Sequence, residues 1–177
     1  NIKHRLSSDD SISLASDSSV TLKHTGSSKL ATTATGVSIT GTLAGSVDLS
    51  GLLREGVNIT AGKLSDNTNI DLEDGMVHLF TTQETTTSTP NIRFSSSTTL
   101  DSSMSVGEAI SVTIITTAAA AAYSAQLTID GAAVTENWVG GSAPSDGGSS
   151  GVDIHAYTII KTASATFTVI ANQSKTS

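Results

Sequence analysis

The side chains that could do acid–base work carry no recognisable pattern. A glycan hydrolase needs two carboxylates facing one scissile bond, and the candidates are Asp71, Glu73, Asp74, Glu84, Asp101, Glu108, Asp130, Glu136, Asp146 and Asp153. Glu73 and Asp74 stand beside a Gly and read as a solvated turn; the others have no distinguishing context. Serine is too abundant for a Ser-His-Asp triple to mean anything, and no G-x-S-x-G elbow occurs. The four histidines, His4, His24, His78 and His155, show neither H-x-H nor H-E-x-x-H spacing, so each reads as a packed or solvent-facing strand residue. Asp146 and Asp153 are too few and too far apart for a calcium loop. Without cysteine there is no disulfide and no thiolate metal site. No catalytic residue, metal or cofactor is assigned.

Recognition is the chemistry that remains, and it asks for exposed polar loops carrying an aromatic or two. The loop 140–151 (GGSAPSDGGSSG) follows Trp138, the loop 95–106 is rich in Ser and Thr, and Tyr123 closes an alanine run at 118–122. The contact candidates are Tyr123, Trp138, Ser142, Ser145, Asp146 and Ser149. Trp138 has a competing role as core anchor. The loop 140–151 carries no apolar anchor and is expected to be flexible and dispensable for stability.

The elements that must position these residues are strands. Ser and Thr supply 56 of the 177 residues, interleaved with Val, Ile and Leu at alternate positions, which is a strand pattern and not a disordered tract. Charged residues make up 14% and the net charge is −7, so no basic stripe exists to hold nucleic acid or an anionic membrane surface. No run of 18 apolar residues is present, so no membrane insertion is expected. The chain opens at Asn1 without Met and is expected to continue a longer polypeptide whose missing part lies upstream.

All six aromatics, from Phe80 to Phe167, lie beyond residue 79, and residues 1–62 are charge-neutral while the remainder carries the whole −7. This divides the chain into a thin segment over 1–62, a connector over 63–75 and a compact head over 76–177. In the thin segment and connector, apolar pairs recur at Ile12/Leu14, Val20/Leu22, Val37/Ile39, Val47/Leu49, Val57/Ile59 and Ile70/Leu72, punctuated by Gly. Each pair predicts one short strand. Two apolar side chains per strand do not offset the entropy of ordering an isolated ribbon with open edges, so the segment is expected to associate with copies of itself.

In the head, strands are expected over 76–82, 91–95, 109–117, 123–129, 132–139, 154–161 and 165–172, with Asp130-Gly131 as a hairpin turn. Seven strands with regular turns read as an antiparallel, jelly-roll-like β-sandwich. Its expected core is Leu79, Ile92, Phe94, Val112, Ile114, Leu127, Ile129, Val134, Trp138, Ile159, Phe167 and Val169. The alanine run is too short to nucleate a helix and reads as a small-residue turn or close sheet contact.

The run 20–43 (VTLKHTGSSKLATTATGVSITGTL) resembles the shaft motif of tail fibres and related virion proteins of phages infecting marine cyanobacteria. The pattern K-L-x-T-T-x-T-G-V-x-I-T-G is matched by Lys29, Leu30, Thr32, Thr33, Thr35, Gly36, Val37, Ile39, Thr40 and Gly41. The stretch from Gly75 onward, with HLFTTQETTTSTPNIRFSSSTTL and VTENWVGGSAP, is similar to a terminal domain of the same class. The resemblance implies an all-β homotrimer: an intertwined β shaft and a terminal β head, mounted on a virion through the upstream part and other tail proteins, and assembled in the bacterial host cytoplasm. It identifies no receptor and supplies no catalytic residues; a distal fibre that contacts the host envelope is expected to meet a host-surface glycan or protein through its head. Alternatives are a passive capsid or neck fibre, a trimer-capping domain, and a polysaccharide depolymerase.

Overall fold

A computed structural model of the chain describes residues 12–14, 20–41 and 50–176. These residues are predominantly β and fall into two compact units divided between Leu52 and Leu53.

The first unit holds an antiparallel meander of β1 (Ile12–Leu14), β2 (Val20–His24), β3 (Ser27–Thr33) and β4 (Gly36–Ile39). β1, β2 and β4 carry the apolar pairs of the sequence. β3 has none, only Leu30, and is held by its two neighbours. The β2–β3 turn places Thr25 and Gly26 at φ 48° and 77°, the paired positive φ values that suit the twist of a two-residue hairpin. The register lines up Ile12, Leu22, Leu30 and Ile39 in one row across all four strands. Ile12, Leu22, Val37 and Ile39 remain 39–59% exposed. The pair Val47/Leu49 and His4 lie outside the described residues.

The second unit begins well before residue 76. It contains β5 (Val57–Thr60), β6 (Asn69–Asp71), β7 (Val77–Gln83), β8 (Asn91–Arg93), β9 (Ala109–Thr117), β10 (Thr128–Ile129), β11 (Ala132–Ala133), β12 (Glu136–Trp138), β13 (Val152–Ala163) and β14 (Thr166–Lys175). One sheet has the order β12-β14-β13-β9-β7-β5 and the other β11-β10-β8-β6. From β5 to β10 the chain alternates between the sheets, so each strand lies parallel to the one two elements earlier: β5 to β7 to β9, and β6 to β8 to β10. The pattern is a two-layer coil closed by the antiparallel β9–β13–β14 and by β12, which runs parallel to β14.

One hydrophobic core cluster joins the two layers. Ile70, Ile92 and Ile129 occupy matched positions of β6, β8 and β10 and are at most 2% exposed. Against them pack Val112, Ile114, Tyr157, Ile159 and Val169 from the larger sheet. On the opposite face of the small sheet a polar ladder runs from Asn69 to Asn91 to Thr128: the Asn91 amide donates to Asn69 Oδ1 (2.9 Å), and the Thr128 hydroxyl donates to Asn91 Oδ1 (2.9 Å). Arg93 is paired with Asp71 beside it.

The all-β class holds, but the head departs from the antiparallel, jelly-roll-like expectation. Inward/outward alternation is the same for parallel and antiparallel strands, and the crossing between layers leaves no mark in a short strand. Val57–Thr60 and Asn69–Asp71, expected in shaft and connector, are strands of the head's two sheets. The strand expected over 123–129 is reduced to Thr128–Ile129. Leu79 and Phe94 do not join the core: β7 turns His78 and Phe80 inward, and Phe94 is 36% exposed. The segment VHLF offers an apolar residue to both faces, so its pattern does not choose between them. The Asp130-Gly131 hairpin is present, with φ of 52° and 79°. Asp130 also caps the one-turn helix α1 (Leu100–Ser103), its carboxylate accepting from Leu100 N (2.7 Å) and Asp101 N (3.0 Å).

Candidate functional site

Trp138 ends β12, an edge strand whose residues Glu136, Asn137 and Trp138 pair with Val169, Ile170 and Ala171 of β14. Its ring is partly buried and packs against the core, so it serves as an anchor while one side stays open. Gly140 and Gly141, at φ 88° and 85°, turn the chain back, and Gly141 N donates to Trp138 O (2.9 Å). That turn sets Ser142, Ser145 and Asp146 beside Trp138. Together with Asn172, Gln173 and Lys175 they line an open groove of about 520 Å³.

The loop 140–151 is held in place, contrary to the expectation of a flexible segment. Asp146 forms an ion pair with Lys175 (2.7 Å), and its carbonyl accepts from Gln173 Nε2 (3.3 Å). Gly147 and Gly148 are buried. Gly147 N donates to Ala120 O (3.0 Å), and a Cβ at Gly147 would overlap the carbonyls of Ala119 and Ala122. The alanine run is thus a tight turn onto which the glycine backbone closes. Gly148 N donates to both oxygens of the Asp153 carboxylate (3.1 and 2.8 Å). Asp153 is fully buried, and this amide together with Gln173 Nε2 (3.4 Å) replaces water that its charge has lost. The anchors are backbone amides, the Asp153 carboxylate and the Gln173 and Lys175 side chains, not apolar side chains.

Four of the six candidates, Trp138, Ser142, Ser145 and Asp146, therefore share one groove. Tyr123 lies in an adjoining depression of about 590 Å³ that shares Ala143 with it. Ser149 is exposed and lines neither. Asn172, Gln173 and Lys175 escape sequence reasoning because they come from β14, and only the parallel β12–β14 pairing brings them to Trp138. The loop 95–106 borders a separate groove with Arg93 and Asp130. There Ser95 Oγ accepts from Thr98 N (3.1 Å), and the Asp130 and Arg93 side chains are engaged in the contacts already described.

On the inward face of β13, His155 lies in a narrow crevice, too tight for a water molecule, with Glu84, Thr116, Tyr123 and Ser124. Burial drives its pKa down to about 4, against the opposing charge of Asp153. Neither of its ring nitrogens has a hydrogen-bond partner among the described residues. Tyr157, next inward on β13, has its hydroxyl pushed upward in pKa by burial first and by the Glu136 charge second. His78 is lowered by burial, partly opposed by its bond to Gly75 O (3.0 Å). Among the described residues no three His, Cys, Asp or Glu gather as a metal site, and no helix is long and apolar enough to cross a membrane.

The groove offers one aromatic surface, two hydroxyls, two amides and one exposed ion pair. Such a lining can stack on and hydrogen-bond a polyhydroxylated or peptide surface. No family model, curated protein or solved structure matches the chain.

Proposed function

We propose that this chain is the distal part of a phage tail fibre, a structural and adhesive homotrimer whose second unit contributes to host-surface attachment. The observation that carries the reading is the apolar row of Ile12, Leu22, Leu30 and Ile39, a sheet face that no described residue of its unit covers over, Ile12, Leu22 and Ile39 being 39–48% exposed. A one-layer sheet of this kind is completed by a second layer, and copies of the same chain provide one. Because the four strands pair with one another, sharing between chains falls to the open face and to the outer edges of β1 and β4. The resemblance of residues 20–43 to cyanobacterial-phage shaft motifs supplies the number three and the virion setting. No catalysis is assigned. Three groove-bearing heads on one rod would bind by effective concentration, each site weak.

One observation favours a passive fibre or capping role instead: the groove's charged groups, Asp146 and Lys175, already satisfy each other. The test is retention of fluorescently labelled full-length chain on marine cyanobacterial cells. Attachment through the groove predicts retention that falls several-fold with Ser145→Arg, a bulky change at an exposed position. Absence of retention, or retention untouched by that variant, contradicts attachment through this groove.

A further inference from the structure

We propose that the outward face of the six-stranded sheet is a contact face for further copies of this chain, so that the second unit takes part in assembly and is not merely carried by the first. The proposal rests on the reading that the chain self-associates.

The register places Ile59, Leu79, Ile115 and Ile154 side by side across β5, β7, β9 and β13. Val57 and Val77 form the start of the next row. All of them point away from the core, because the inward positions of the same strands are His78, Phe80, Ile114, Thr116 and their neighbours. Val57 is 46% exposed, Ile59 65% and, at the far side of the sheet, Ile170 42%. A soluble sheet with one solvated face alternates apolar inside with polar and charged outside. This sheet reverses the pattern: of its charged strand residues, Asp153, Lys161 and Glu136 are inward and Lys175, opposite Asp153 in register, lies on the same side at the exposed end of β14, while its outward positions hold only Val, Ile, Leu, Ala, Thr, Ser, Asn and Gln.

Charge selects the occupant. The chain carries 16 acidic and 9 basic residues and a net −7, so two copies repel wherever like charges meet. A face without any charged side chain is where identical chains approach at least electrostatic cost, and it offers a charged partner nothing to pair with. The size also fits. At roughly 4.8 Å between strands and 3.3 Å per residue, five strands by about eight residues present a footprint of about 600 Å², close to the roughly 800 Å² per partner of a standard interface. The first unit displays a row of the same width and composition, Ile12, Leu22, Leu30 and Ile39, as expected of a chain whose copies meet along its length.

The test is sedimentation equilibrium of the full chain, with far-UV circular dichroism on the same samples. Ile59→Lys/Ile170→Lys places charges at two positions already exposed in the monomer. It is expected to weaken association at least about tenfold while leaving the dichroism unchanged. Should that variant lose its fold, Ile59→Thr/Ile170→Thr, which keeps β-branched side chains, is expected to weaken association by a few-fold. A folded variant of either kind that associates as tightly as wild type overturns the contact face while self-association stands. A monomeric wild type overturns the underlying reading instead.

Discussion

His155 sits on the inward face of β13 with about 1% of its surface exposed and neither ring nitrogen hydrogen-bonded among the described residues. Its folded-state pKa of about 4 lies below the ordinary 6.5, so as pH falls the unfolded chain takes up the proton first. The stabilisation is therefore complete above pH 6.5 and is lost progressively toward pH 4. The difference amounts to about 3 kcal/mol at 1.4 kcal/mol per pKa unit. Urea unfolding at pH 7.5 and pH 4 should show wild type losing about that much more than His155→Leu. Parallel losses in the two proteins would remove His155 as the cause. His78, also lowered by burial, acts in the same direction. Gly147 tests packing instead of charge. Its missing Cβ is what lets the loop close on the carbonyls of Ala119 and Ala122. Gly147→Ala is expected to destabilise by about 1–3 kcal/mol, the usual range for overpacking, read as a lower urea midpoint. An unchanged midpoint would show that the loop yields at no cost.

At the scale of elements, the isoleucine ladder and the glycine loop carry opposite lessons. Ile92 stands between Ile70 and Ile129 with no exposed surface, so Ile92→Ala should cost about 2–5 kcal/mol by cavity formation. Deleting residues 140–151 should also lower the thermal midpoint, because it removes the amide of Gly148 from the buried Asp153 carboxylate and leaves that charge with the longer Gln173 Nε2 contact (3.4 Å). A deletion that melts like wild type would restore the picture of a dispensable loop. Much of this was legible in the sequence. β9 spans 109–117 as its alternating pattern requires, Asp130-Gly131 makes its hairpin, and the aromatics mark the larger core. The pairing partners were not legible, since β5, β7 and β9 would alternate in the same way if they ran antiparallel. The groove was half legible. Trp138, Ser142, Ser145 and Asp146 are neighbours in the chain, whereas Gln173 and Lys175 reach them only through the pairing of β12 with β14. The anchoring of the loop was hidden because its contacts are made by backbone amides, which any sequence possesses, and by Gln173 and Lys175 from a strand far along the chain.

Across the whole molecule, both units present an apolar row on a sheet face, one built on Ile12, Leu22, Leu30 and Ile39 and the other on Ile59, Leu79, Ile115 and Ile154. Scattered exposed hydrophobics are ordinary, but contiguous rows mark surfaces that are covered in use. We assign that cover to identical chains. Sedimentation equilibrium of the unmodified chain at tens of micromolar asks the question directly. The expected result is a species of three times the 17.9 kDa chain mass, with an ordered β spectrum that weakens on dilution as the assembly dissociates. A single 17.9 kDa species with the same ordered spectrum at every concentration would contradict it.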